Sequence, residues 1–218
     1  MKMWKKALSV ILAILFLVLI RTPVWAQDVS GLFGMGARVS YFNTFDTDLA
    51  VFDIEFDDST LYGLNLVYFF NTYFSLELGI EHSKNDVNVS GNGLSDFYFG
   101  DVTQIPILLT ARFHLPIHSR VTPYLGGGAG FYSNDFDLSQ VLFGGATFEP
   151  KSSIGYHVNG GVEFFVSERI AFNLDFKYIW NTVEFDATGV IVAVGVPATS
   201  DIDLDAFYGG FGIRYYFK

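Results

Sequence analysis

The chain has no cysteine, so no disulfide framework can staple it. Charge is sparse: Asp, Glu, Lys and Arg make up 17% of its 218 residues, and basic residues are outnumbered 13 to 23. A net charge of −10 argues against nucleic acid as a partner. Past residue 20 no stretch is both long and uninterruptedly apolar, which leaves no candidate for a membrane-crossing helix. Metal spacing is missing as well, because His82, His114, His118 and His157 show no regular interval and have no cysteine to pair with.

What is abundant points elsewhere. Half the residues are hydrophobic, with 24 Phe, 12 Tyr and 22 Gly, an odd mixture for a solvated acidic globule. Lys2, Lys5 and Lys6 precede an uncharged run from Ala7 to Ile20, and Val24-Trp25-Ala26 closes the segment. This is the pattern of a secretory signal peptide over 1–26, cleaved after Ala26; at 14 residues the run falls short of the ~20 that a spanning helix needs. Residues 27–218 are then read as one domain with a net charge of −14.

Eight segments of that domain alternate with period two, the mark of a β-strand. They cover about 31–42, 60–70, 73–82, 102–115, 121–132, 153–165, 170–180 and 207–217. In the third, Phe74, Leu76, Leu78 and Ile80 oppose Ser75, Glu77, Gly79 and Glu81. In the seventh, Phe172, Leu174, Phe176 and Tyr178 oppose Asn173, Asp175 and Lys177. Pro106 weakens the fourth, since proline removes a ladder donor.

The middles of all eight apolar faces carry no Asp, Glu, Lys or Arg; every strand charge lies on the opposite parity. A soluble sandwich hides its apolar face and displays its charges. A membrane barrel does the reverse, because a charge facing lipid at mid-depth costs about 2–4 kcal/mol. Aromatic residues gather at the strand ends as interfacial girdles would: Phe70, Phe74, Phe113, Phe164 and Phe217 at one rim, Tyr41, Tyr62, Tyr156, Tyr178, Trp180 and Phe207 at the other. Connections alternate long (43–59, 83–101, 133–152, 181–203) with short (71–72, 116–120, 166–169). The fold class predicted is all-β, an eight-stranded antiparallel transmembrane up-and-down barrel in a bacterial outer membrane, long loops outside and both termini periplasmic.

Thr122-Pro123-Tyr124-Leu125-Gly126-Gly127-Gly128-Ala129-Gly130, the stretch from Gly155 to Phe165, Asn173-Leu174-Asp175-Phe176-Lys177-Tyr178-Ile179-Trp180 and the closing Phe207 to Phe217 resemble the OmpW family. The resemblance implies an outer-membrane barrel with a narrow, largely apolar lumen that passes small hydrophobic molecules sideways toward the membrane. One departure is Lys218 at the end, where such barrels usually finish on an aromatic residue.

Inward parity collects Arg38, Arg112, Lys177 and Arg214 against Glu77, Glu81, Glu163 and Asp175, four of each sign. So balanced a set departs from a wholly apolar lumen and reads either as an ion-paired plug or as a gate. Two long loops are apolar where a solvated loop should not be: 141–148, with Leu142, Phe143 and Phe148, and 190–196, with Ile191, Val192 and Val194. They form either the mouth of a hydrophobic-ligand site or hairpins packed on one another.

Asp46, Asp48, Asp53, Glu55, Asp57 and Asp58 crowd the first loop, as a solvated acidic face or a weak divalent-cation site without ordered ligand spacing. The glycines at 126, 127, 128 and 130 have no helix start behind them and suit close strand packing better than a phosphate cradle. No cofactor is assigned.

Transport of small hydrophobic molecules is the leading functional expectation, and a non-conducting structural or surface-interaction barrel is the alternative. Either would sit among lipid and lipopolysaccharide after insertion by the barrel assembly machinery. An enzyme acting on lipid A is the third class; His82-Ser83 is an adjacent Ser-His pair, with no carboxylate spaced to orient it, and no catalytic residue is named.

Overall fold

The computed structural model describes residues 29–44, 47–49, 52–56, 59–91, 94–115, 120–138, 147–188 and 198–217. The leader expected over 1–26 lies outside them. Strands are β1 Phe33–Thr44, β2 Thr47–Leu49, β3 Phe52–Phe56, β4 Ser59–Phe69, β5 Phe74–Gly91, β6 Leu94–His114 and β7 Val121–Leu138. They continue as β8 Thr147–Pro150, β9 Ser153–Phe165, β10 Ile170–Trp180, β11 Thr182–Thr188, β12 Thr199–Asp203 and β13 Ala206–Phe217.

Eight of these close on themselves in the order β5-β4-β1-β13-β10-β9-β7-β6 and back to β5, every pairing antiparallel. Closure leaves no free edge, so apart from one lapse between β5 and β6 the wall's described ladders run unbroken, as a lipid environment demands. Two short turns at the end carrying the termini have local chemistry that explains them. Asn71 Oδ1 accepts from the backbone N–H of Tyr73 at 2.8 Å and Phe74 at 3.0 Å. Ser167 Oγ accepts from the N–H of Ile170 at 3.1 Å and of Arg169 at 3.3 Å.

Three strands run further than their apolar face suggested. β5 continues to Gly91, β6 begins at Leu94 and β7 continues to Leu138, so most of the expected 83–101 loop is a two-stranded ribbon. Beyond His82 the outward positions turn polar, which erases the apolar signal although the ladder persists. β2 and β3 form a hairpin on the edge of that ribbon, with Glu55 opposite Asn88. The loops 133–152 and 181–203 contribute β8, β11 and β12 to a separate three-stranded sheet. Its inner residues Val183, Phe185, Ala187 and Ile202 are buried.

Inside the barrel the side chains lie in layers. At the terminal end Val67, Phe69, Phe165, Ala171 and Tyr216 pack with Val29 and Leu32, which the chain folds into the mouth. Gly31, at φ 73°, makes that turn, and its N–H donates to Phe69 O at 2.9 Å. A second apolar layer, Phe42, Leu61, Leu108, Tyr132, Ile179, Ala206 and Tyr208, lies toward the long hairpins. Charges occupy the space between.

Candidate functional site

All eight inward charges meet in that middle space, each at most 4% exposed. Glu77 is the hub. Its Oε1 accepts from Arg38 Nη2 at 3.0 Å and Arg112 Nη2 at 2.5 Å, and its Oε2 from Arg214 Nη2. Arg214 also donates through Nη1 to Glu163 at 2.7 Å and through Nε to Asn65 Oδ1 at 3.2 Å. Asp175 accepts from the Tyr124 hydroxyl at 2.5 Å and Asn159 Nδ2 at 2.8 Å.

The upper part is looser. Arg38 Nη1 stands 3.5 Å from Glu81 and 3.7 Å from Asp175, and Lys177 Nζ stands 3.7 Å from Glu81 and 4.6 Å from the Tyr208 ring centroid. The Tyr208 hydroxyl donates to Glu81 at 3.0 Å. In a low-dielectric interior such a set is stable only if each charge has its counterpart, and here the counts match four to four. The lumen is therefore apolar, then charged, then apolar along its length, unlike the largely apolar channel that the resemblance implied.

Glycine makes room for this layer. A Cβ on Gly126 would stand 2.4 Å from Asn159 Oδ1 and 3.0 Å from Arg112 Cγ, and one on Gly128 would meet Leu109 O at 1.9 Å. Two hydroxyl-histidine contacts escaped the sequence: Ser75 Oγ with His114 Nε2 and Thr110 Oγ1 with His157 Nε2, both at 2.8 Å. Inward parity alone holds their only sequence signal; Ser75 reaches His114 through the register Phe74↔Phe113, and Thr110 reaches His157 across Gly128 of the strand between them. Both are buried and neither Nδ1 has a hydrogen-bond partner, so no carboxylate orients the imidazole as a catalytic relay needs. His82, by contrast, faces outward.

Among the described residues the β5–β6 ladder lapses once next to this layer. Paired positions between β5 and β6 stop at Ile80↔Ile107 and resume in the same register at Ser83↔Gln104, leaving Glu81 and His82 unbridged to Pro106 and Ile105. Pro106 has no N–H to offer. On its other side Pro106 still stands opposite Tyr132 of β7. On the outer surface at this level is a groove of about 400 Å³ whose lining includes Val39, Tyr62, Leu64, Ile80, His82 and Ile105, beside the strand positions of Arg38 and Glu81.

With this architecture in view, the OmpW family profile matches residues 37–217. The chain belongs to the OmpW family. Outer-membrane protein OprG from Pseudomonas aeruginosa has the same fold, with a TM-score of 0.76 at 23% identity over 88% of this chain and 98% of that one. Outer-membrane protein AlkL matches at 0.61 with 18% identity over 91% and 95%. Escherichia coli outer membrane protein W matches at 0.54 with 19% identity over 86% and 98%. No curated protein sequence matches. An OmpW-family barrel of this kind resides in the outer membrane of a Gram-negative cell, where its apolar outer face meets lipid.

Of the other candidate positions of this OmpW-family chain, those within the described residues fall at the long-hairpin end. Leu142, Phe143, Ile191, Val192 and Val194 lie outside the described residues, and Phe148 stands in β8 opposite Ala187. Of the first acidic loop, Asp48, Asp53 and Glu55 stand in β2 and β3, whereas Asp46, Asp57 and Asp58 lie outside the described residues. His118 and Lys218 are outside as well. Among the described residues no group of three His, Cys, Asp or Glu is placed to hold a metal ion.

Proposed function

We propose that this barrel takes small apolar molecules from outside the cell and releases them sideways into the outer membrane instead of passing them to the periplasm. In this reading the 1–26 leader is removed on secretion, the barrel assembly machinery inserts the chain, the long hairpins stand outside among lipopolysaccharide and both termini are periplasmic. The observation that carries it is the coincidence of a blocked axis with an interrupted wall. Axially, a solute meets the ion-paired layer and, beneath it, the Val29–Leu32 cork. At the upper edge of the charged layer, next to the apolar residues Leu108 and Tyr132, the β5–β6 ladder lapses beside Pro106 and the groove lies outside. Lipid is the better solvent for an apolar molecule than the charged layer, so the sideways step is downhill.

The test is uptake of an apolar solute by cells with the gene, without it, and with Pro106→Ala, which restores the missing donor. Wild-type cells are expected to take up the solute several-fold faster than cells without the gene, and Pro106→Ala to remove most of that gain. A non-conducting surface barrel, which the ion-paired plug alone would equally suit, predicts the same uptake in all three strains.

A further inference from the structure

The long-hairpin end has a lopsided charge that the ion-paired layer does not. Residues 43–59, 83–101, 133–152 and 181–205 hold seventeen of the 23 acidic residues and two of the 13 basic ones. Both basic residues are engaged: Lys84 Nζ stands 2.8 Å from Asp101, and Lys151 Nζ pairs with Glu184 and, at 3.2 Å, with Asp186. Carboxylates stand directly opposite one another across the strands, Asp86↔Asp101↔Asp137, Glu184↔Asp201 and Asp186↔Glu149, so the outer surface is acidic on several strands at once.

Among the described residues the buried side of the same region is apolar or uncharged. Val87, Val102, Val183, Phe185, Ile202 and Leu204 are buried there. Below them the inward polar groups are the neutral Ser83, Asn85, Gln104 and Asn181. The first lumen cations, Lys177 and Arg38, already face Glu81 and Asp175. Among the described residues a carboxylate descending this path meets repulsion at the mouth and no uncompensated cation inside.

We infer that the acidic mouth and the cation-poor apolar lining make this end a charge filter, so that the substrates are uncharged apolar molecules and anionic amphiphiles of equal chain length are refused. This rests on the transport reading above. A field from clustered like charges alters encounter rates by about tenfold or more, while an uncharged solute is indifferent to it.

The experiment compares gene-dependent uptake of 1-dodecanol and of dodecanoate by intact cells at pH 7.5. The variants are Asp137→Lys/Glu149→Lys/Asp201→Lys and, with less disturbance to folding, Asp137→Asn/Glu149→Gln/Asp201→Asn. All three positions are exposed, and a heat-dependent gel shift reports folding of each barrel. Wild type should take up dodecanol at least tenfold faster than dodecanoate. The neutral variant should raise dodecanoate uptake and the lysine variant raise it further, with dodecanol uptake unchanged in both. Equal uptake of the two solutes by wild type, or dodecanoate uptake unmoved by either variant, overturns the filter and leaves transport standing. Gene-dependent uptake of neither solute overturns the transport reading and the filter with it.

Discussion

The same three strands, β5, β6 and β7, run through two environments, and their chemistry inverts between them while their geometry does not. Within the barrel β5 turns Leu76, Leu78 and Ile80 outward and Glu77 and Glu81 inward; further along it turns Lys84 and Asp86 outward and Val87 inward. β6 passes from Leu109 and Ile107 outside with Arg112 inside to Asp101 outside with Val102 inside. Parity is continuous, so each residue's face is set by the strand and its chemistry by the solvent on that face. Outside, lipid gives way to water; inside, an ion-paired layer gives way to neutral polar and then apolar side chains.

The sharpest way to break this comparison is to remove the hub of the charged layer. Glu77→Ala leaves Arg38, Arg112 and Arg214 without their shared carboxylate in a space closed to water. Removal of one partner from a buried ion pair costs about 3–5 kcal/mol, and equilibrium urea unfolding in lipid vesicles, followed by gel shift, should show a loss of that size. A stability unchanged within error would mean that water enters the layer and solvates the arginines.

A second test exchanges the two outer faces. Leu78 faces outward at mid-depth, between Leu66 and Leu109 on the neighbouring strands. Leu78→Arg should destabilise the barrel by about 2–4 kcal/mol in the same assay. Three outward positions further along β5, Lys84 already carries a charge, and Lys84→Leu should leave barrel stability nearly unmoved. Equal effects at both positions would mean that the lipid boundary does not fall between them.

The sequence made the barrel legible because lipid and water impose opposite rules on alternate residues, and eight segments obey them. The eight lumen charges were legible for the same reason: Glu77 and Arg112 have the parity opposite to Leu76 and Phe113. What was not legible depends on pairing across distant strands. The ribbon beyond His82 keeps period two but loses the apolar outer face by which strands were recognised. Ser75 meets His114 only once β5 and β6 are in register. Pro106 was visible as a weak point, but which neighbour would lose a partner was not. In an antiparallel ladder successive N–H groups point to opposite sides, so placing the gap toward β5 and not β7 requires the three-strand arrangement.

The smallest expected effect belongs to the three-stranded sheet in the watery region, and it tests whether ion pairs there resemble those inside. Lys151, followed by a hydrogen bond from the Thr199 hydroxyl at 3.0 Å, holds the Asp186 carboxyl below its usual 3.8. The folded state therefore binds fewer protons at this site than the unfolded chain. Its contribution is complete above pH 3.8 and is lost as pH falls through the lower folded value. Amide exchange at Phe185 and Ile202, corrected for the intrinsic pH dependence, should accelerate slightly across that window, and Lys151→Met should flatten the change. Because Lys151 and Asp186 sit in solvent, raised salt should shrink the effect too. The Glu77 loss should be almost indifferent to salt, since its layer is buried, and a salt dependence shared by the two sites would erase the distinction between them.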